Sequence, residues 1–244
     1  FITLSFFFFK ILVYSFKFVP MFLLYLYSDI LCFFMHRIVK YRRKIIYDNL
    51  KNSFPEKTDI ELRKIIKKTY RNLSDVILES VKGLTMSLKN LQKRYSLVPT
   101  DMQHRLYDSG KSIIFSCAHF SNWEWGIYTM PLEMKHNTRI IYKPLKNKKM
   151  DAFLNKFRER GTAKMTSIYA TPRAFSDKDG LFSVVMVADQ NPLSKEKAYW
   201  INFFNRPTLF LHGPEFYAKR YNTCLLYTSP SPRDRTRSRM PSSA

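Results

Sequence analysis

The chain has 244 residues, 41 of them Lys or Arg and 19 Asp or Glu, and its formal net charge at neutral pH is +22. This length allows one α/β domain with a well-buried core and some appended helix, and it argues against two separate domains. The charge favours anionic partners, namely phospholipid headgroups, phosphorylated glycolipids, acidic carrier proteins or nucleic acid. The three cysteines have no pairing or metal-type spacing, which argues against a disulfide framework and fits a reducing compartment.

An aromatic and aliphatic segment from Phe6 to Met35 is long enough for about one bilayer crossing. It is interrupted by Lys10, Lys17, Pro20 and Asp29. Because an internal carboxylate is costly in lipid, the segment is expected either to span the membrane or to lie in its interface. A basic cluster from His36 to Lys44 follows, which predicts contact with anionic lipid and a cytoplasmic catalytic part. We therefore predict a membrane anchor over residues 1–41.

Two patterns follow the anchor. Apolar residues recur at helical spacing between Lys57 and Leu91, which predicts an amphipathic helical region whose basic face is solvated or lies on the bilayer. Short apolar runs separated by helical stretches then predict an α/β fold, with a mainly parallel sheet flanked by helices. These runs are Ser112–Ala118, Arg139–Tyr142, Met165–Tyr169 and Leu181–Ala188. Functional residues are expected at the carboxyl ends of the strands.

The last stretch, from Leu225 to Ala244, is rich in Ser, Pro and Arg, has no periodicity and is similar to translated adapter sequence. We expect a non-native disordered tail there, the alternative being a natural disordered basic tail. The expected division of the chain is an anchor over 1–41, a catalytic domain over 42–224 that is incomplete at its C-terminus, and a tail over 225–244.

The segment from His119 to Glu124 follows the first apolar run directly, so a His and a carboxylate are placed at a predicted strand end. An imidazole can accept a proton from a hydroxyl and return it to a leaving group, and a carboxylate on its far nitrogen fixes the tautomer. If Ser121 caps a helix over 123–129, Glu124 lies close enough to be that carboxylate. Asp189 follows the fourth run in the same way.

Other chemistries have less support. Cys117 lies inside an apolar run, which is typical of a buried small hydrophobe rather than a nucleophile. A metal site is compatible with the composition of the chain, but no His-Glu-x-x-His pattern occurs, and its candidate ligands are far apart in sequence. No metal and no cofactor are expected. The candidate ligands are His119, Glu124, Asp189 and His212.

The sequence CAHFSNWEWG resembles the His-x4-acid motif of the bacterial lipid A biosynthesis acyltransferases, the lauroyl and myristoyl transferases within the lysophospholipid acyltransferase-like superfamily. The resemblance covers roughly residues 42–219 in the family's order. In YKPLKN, Lys143 replaces the usual Arg, which keeps the charge but loses the bidentate fork, and Asn205 stands where Gly is common. The other matching segments read RKIIYDNLKNSFPEKTDIE, RERG, ADQ and FFNRPTLFLHGPE.

The resemblance implies a glycerolipid acyltransferase-like fold and an O-acyltransferase of the inner membrane that faces the cytoplasm. His119 would take the proton of a lipid hydroxyl with support from Glu124, and the oxygen would attack a thioester of acyl carrier protein or coenzyme A. The acceptor would be a membrane lipid, most simply a lipid A precursor. Arg158 would bind phosphate and Asp189 would order the basic groups, the alternative being a surface ion pair. Further expected substrate contacts are Lys143, Asn122 and Gln190.

Two alternatives remain open at this point. A membrane-tethered basic module that binds nucleic acid or anionic lipid without catalysis has only the net charge in its favour, so no nucleic-acid partner is expected. Hydrolysis of the thioester is the other alternative, because the same base can activate water.

Overall fold

The computed structural model describes residues 2–97, 100–176, 178, 180–192, 194–196 and 198–227. Within this part of the chain the α-helices are α1 (Ile2–Ser15), α2 (Met21–Phe33), α3 (Arg43–Ser53), α4 (Asp59–Gly83), α5 (Leu88–Gln92), α6 (Asp101–Asp108), α7 (Trp123–Glu133), α8 (Lys148–Arg158) and α9 (Gly213–Arg220). The strands are β1 (Ile113–Cys117), β2 (Asn137–Tyr142), β3 (Lys164–Ser167), β4 (Phe182–Val187), β5 (Ala198–Phe203), β6 (Arg206–Leu211) and β7 (Cys224–Tyr227).

Five strands form one parallel sheet in the order β3-β2-β4-β1-β7, which confirms the predicted fold class. The four predicted apolar runs correspond to β1 to β4. A strand that is covered by helices on both faces buries the side chains of both faces. Its sequence is therefore a continuous apolar run and not an alternation of apolar and polar residues. The central pair, β1 and β4, is accordingly almost fully buried.

The two faces of the sheet have separate apolar cores. Ile113 and Phe115 of β1 pack on the α7 side, near Ile127 and Met130. The intervening Ile114 points to the opposite face, where it packs with Phe182 and the α9 side chains. This alternation follows from the two-residue period of a strand, and it holds α7 and α9 on opposite sides of β1.

The N-terminal segment forms two helices instead of one continuous rod, because Pro20 adopts an extended conformation between a 3₁₀ turn at Phe16–Phe18 and α2. The stretch Met21–Ile38 is long and apolar enough to cross a membrane, and 11% of it is buried within the protein. The buried side of α2 packs along α4. Three polar contacts join the two helices: Tyr25–Glu79, Ser28–Asp75 and Asp29–Arg71.

The predicted helical region at 57–91 consists of the long helix α4, which a Thr58–Glu61 capping box begins, and the short helix α5. Strand β7 pairs with β1 through Tyr227, so the sheet extends three residues past the domain boundary expected at 224. The remainder of the expected tail, residues 228–244, lies outside the described residues.

Strands β5 and β6 form a separate antiparallel hairpin outside the parallel sheet. Its two-residue turn consists of Phe204 and Asn205, which have φ of 48° and 59°. Two positive φ values are typical of the mirror-image type I′ turn, which matches the twist of the flanking strands. Asn tolerates this region well, which accounts for Asn205 at the second position of the turn.

Candidate active site

The register of the central strands brings His119 and Asp189 together. Cys117, the last residue of β1, pairs with Val187, the last residue of β4. Because the two strands are parallel neighbours, the residues two positions further on leave the sheet side by side at its carboxyl edge. A local bond from the Ala188 N–H to the Cys117 carbonyl continues this alignment past the strand ends.

The Asp189 carboxylate binds His119 at two points. One oxygen lies 2.7 Å from the ring Nδ1, and the other accepts the backbone N–H of His119 at 2.9 Å. An ionised carboxylate only accepts hydrogen bonds, so this contact places the ring proton on Nδ1 and leaves the lone pair on Nε2. The ring also packs edge-on against Trp123, with centroids 5.0 Å apart. A His held in this tautomer can act as a general base.

Glu124 has a different partner from the one that the sequence predicted. Its carboxylate accepts two hydrogen bonds from Arg158, from Nη2 at 2.6 Å and from Nε at 3.2 Å. The expected Glu124 support of the His119 ring is therefore replaced by Asp189, and Arg158 and Asp189 do not pair with each other. The reason is geometric: Glu124 lies on the first turn of α7 facing the end of α8, whereas Asp189 leaves the strand next to β1.

The loop between β1 and α7 departs from the expected cap. Ser121 has φ of 56°, and Asn122 is the N-cap of α7, accepting the Trp125 N–H at 3.2 Å. Asn122 is fully buried and donates its amide to Glu79 of α4 at 2.9 Å. Its amide is thus used inside the protein, so Asn122 shapes the loop instead of contacting substrate as expected.

A cavity of about 550 Å³ opens beside His119. Its inner part is apolar, and its polar side chains gather near the strand ends. Three of the side chains predicted to contact substrate, Lys143, Gln190 and Arg158, line it, and so does Glu124. The apolar lining includes Phe115, Ile127, Met130, Ile140, Met165 and Val185. Such a cavity has room for a hydrocarbon chain, with a polar group held at its mouth.

Two groups important to the site were not identified from the sequence. Glu79 is fully buried and also accepts the Tyr25 hydroxyl at 2.8 Å, so it connects α2 with the loop after His119. The buried Ser121 hydroxyl has no hydrogen-bond partner among the described residues and lines the cavity. A Glu at an inward position of the α4 apolar face was a visible signal, because a carboxylate is seldom buried without partners.

The structure also bears on two other chemistries considered from the sequence, a cysteine nucleophile at Cys117 and a metal site. Burial, with a smaller contribution from Asp189, raises the pKa of the Cys117 thiol to about 12. A thiol with this pKa is protonated at neutral pH, which argues against a nucleophile, although Cys117 is only half-buried and lines the cavity. Over the described ranges, no three His, Cys, Asp or Glu side chains are grouped so that they could hold a metal ion.

The chain was compared with curated proteins and with protein-family sequence models. None of the curated proteins compared with the chain matches it. The sequence model of the bacterial lipid A biosynthesis acyltransferases matches residues 2–239, which includes the N-terminal helices as well as the parallel sheet. The chain therefore belongs to the bacterial lipid A biosynthesis acyltransferase family.

Proposed function

We propose that this protein transfers a fatty acyl chain from a thioester, of acyl carrier protein or coenzyme A, to a hydroxyl of a lipid A precursor. The proposal is carried by the His119–Asp189 pair, which stands at the mouth of an apolar cavity large enough for part of an acyl chain. No cofactor takes part in this chemistry, because the thioester itself supplies the activated acyl group.

In the proposed reaction, Nε2 of His119 takes the proton of the acceptor hydroxyl while its oxygen attacks the thioester carbonyl carbon. Asp189 stabilises the imidazolium that results, through the bond to Nδ1. The tetrahedral intermediate then collapses, the carbon–sulfur bond breaks, and the thiolate leaves with the proton that His119 returns. A new ester and a free thiol are the products, and the base is regenerated.

The polar mouth of the cavity fits a phosphorylated acceptor. The Nε and Nη2 atoms of Arg158 hold Glu124, and we propose that Nη1 and the Lys143 ammonium bind acceptor phosphates. In this role Glu124 orients the guanidinium, and its negative charge keeps Arg158 in place when no acceptor is bound. The high positive charge of the chain also suits an acidic carrier protein as donor.

We further propose that the anchor lies in the interface of the inner membrane, with the active site on the cytoplasmic side. The supporting observation is the set of polar contacts between α2 and α4, namely Tyr25–Glu79, Ser28–Asp75 and Asp29–Arg71. If α2 crossed the bilayer, Asp29, Arg71 and the lysines beside Arg71 on α4 would enter the hydrocarbon with it, which is costly. The side of α2 facing away from α4 exposes large apolar side chains suited to lipid: Phe22, Leu26, Ile30 and Phe33.

The experiment is mass spectrometry of lipid A from a host that lacks its own late acyltransferase, with and without this gene. We expect an added acyl mass in the presence of the wild-type chain and none with His119→Ala. In parallel, purified protein should transfer a labelled acyl group from a thioester to lipid in membranes. Free fatty acid without any acylated lipid would instead indicate a thioester hydrolase.

Replacing Cys117 with alanine is expected to leave kcat for acyl transfer within about threefold of wild type, since a protonated thiol is a poor nucleophile. Initial rates with a labelled thioester measure this. Loss of activity together with an acylated cysteine in the wild-type protein would contradict the direct mechanism.

Replacing Arg158 with lysine is expected to lower kcat/KM about tenfold, or about 1.4 kcal/mol. Lysine keeps the charge but cannot make the two parallel bonds that the guanidinium donates to Glu124. The matched comparison is Lys143→Arg, which restores the family's usual residue and should maintain or raise kcat/KM. Equal losses in both variants would argue against a special role for the Glu124–Arg158 geometry.

A further inference from the structure

The β5–β6 hairpin exposes an unusual amount of apolar surface. Trp200 is 62% exposed and Phe204, at the turn, is 51% exposed. The other half-exposed apolar side chains of the hairpin are Tyr199, Ile201 and Phe203. Aromatic side chains of this kind are enriched where one end of a ring is in apolar surroundings and the other is wet, as at a membrane interface.

The hairpin also carries a conformational cost at its tip. Phe204 has φ of 48°, a region that bulky side chains rarely occupy, whereas Gly or Asn would fit there without strain. An isolated two-stranded hairpin is marginally stable in water, and this one is outside the parallel sheet. About half of the Phe204 side chain remains exposed in this strained turn, which favours a contact with something outside the protein.

The tip of the hairpin is attached to the helix that follows the membrane anchor. Arg206 donates to the Asn49 side chain of α3 at 2.7 Å, and Asn205 donates to the Asn52 carbonyl at 3.3 Å. The rings of Phe54 and Phe204 also meet, with centroids 6.0 Å apart. Helix α3 begins five residues after the anchor segment Met21–Ile38, and its first two residues belong to the basic cluster, so one short helix connects the hairpin tip to that cluster.

The base of the hairpin reaches the active site. Leu211, the last residue of β6, lines the cavity beside His119, and Gly213 and Pro214 of α9 continue that wall. The hairpin thus carries exposed apolar side chains between its tip at α3 and its base at the cavity. A lipid acceptor that moves along it keeps its acyl chains away from water.

We propose that the hairpin is a second membrane contact, whose aromatic side chains insert into the interface of an anionic bilayer beside the anchor and border the path of the acceptor to His119. A bilayer is favoured over a protein partner because the hairpin tip is bonded to α3, which begins within the basic cluster at 36–44, and this cluster attracts anionic headgroups. The path to His119 rests on the proposed function, whereas insertion of the hairpin does not.

Trp200 provides a direct test. The chain has three tryptophans, and Trp125 is fully buried, so a Trp123→Phe background leaves Trp200 as the only accessible one. The full chain is reconstituted in vesicles of phosphatidylethanolamine and phosphatidylglycerol, with or without bromine on the lipid acyl chains. We expect a blue-shifted Trp200 emission that the brominated lipids quench, relative to a Trp123→Phe, Trp200→Phe control. An emission that stays water-like and unquenched in vesicles would overturn the proposal, as would a response to acyl carrier protein alone.

A second arm uses the double variant Phe203→Ser, Phe204→Ser. We expect the KM for an acceptor presented in vesicles to rise about tenfold with kcat unchanged. The matched control replaces Met102, an exposed apolar residue of α6, with serine and should change neither constant. If no transfer is detected but Trp200 is quenched, the proposed function fails and the membrane contact stands. An unchanged KM for the double variant would overturn the path along the hairpin.

Discussion

Replacing Asp189 with asparagine is expected to lower kcat for acyl transfer about a thousandfold while the fold is retained. The backbone N–H of His119 donates to one carboxylate oxygen, so the amide oxygen of asparagine will take that position. Its NH₂ group will then face Nδ1, which must present a lone pair to accept from it. The proton moves to Nε2, and the ring can no longer accept one from the acceptor hydroxyl. Initial rates with a labelled acyl thioester will measure the loss.

The matched control is Asp108→Asn. Asp108, which precedes the amino end of β1, forms an exposed ion pair with Lys135 at 3.1 Å. Exposed pairs of this kind contribute little to stability. Its kcat should remain within about twofold of wild type. If Asp189→Asn kept full activity and Glu124→Gln lost it, the assignment of Asp189 as the group that orients His119 would be wrong.

Replacing Glu79 with alanine is expected to lower the free energy of unfolding by about 3 kcal/mol. The change leaves a cavity between α2, α4 and α7, and it removes the acceptor of the Tyr25 hydroxyl and of the fully buried Asn122 amide. For a domain of this size the midpoint of thermal unfolding should fall by about 10 °C. Thermal melts in detergent, followed by circular dichroism, measure the shift.

Glu79→Gln is the matched variant and should cost about 1 kcal/mol or less, since a phenol oxygen can accept from the new NH₂ while the amide oxygen accepts from Asn122. Burial raises the pKa of Glu79 above 4.5, so the folded state binds its proton more tightly than the unfolded state. The stability that Glu79 contributes is thus present below pH 4.5 and declines as the pH rises through the folded pKa. The free energy of unfolding of the Glu79→Gln variant should therefore rise relative to that of wild type between acidic and neutral pH. If the two unfolding free energies differed by the same amount at every pH, the burial of an ionisable group at position 79 would be contradicted.

The sheet and its functional edge could be predicted because their physics is local. Buried parallel strands are apolar along their whole length, so β1 and β4 were visible as runs, and the polar residues directly after them, His119 and Asp189, had to leave the sheet at the same edge. What the sequence does not contain is strand order. Asp189 can be identified as the partner of His119 only once β1 and β4 are known to be neighbours in the sheet.

The error about Glu124 has a similar origin. Five residues of separation fit a bond to His119 if the intervening loop runs directly into a helix, but the positive φ of Ser121 redirects the chain, and Asn122 takes the cap. The cap is in turn fixed by Glu79, which comes from a helix more than forty residues earlier. Local spacing predicts which groups are close to the site, whereas contacts between distant helices decide how they pair.

The alignment of Cys117 with Val187 also bears on how the enzyme becomes active during folding. The two residues of the pair are 70 positions apart, and the intervening chain includes β2 and β3 and four helical segments. Closing such a loop has an entropic cost that only the completed β1–β4 pairing offsets. No fragment that lacks β4 can hold the His119 ring by this bond. Proton transfer by His119 would thus appear only once the middle of the sheet has closed, and activity could serve as a kinetic probe of that step.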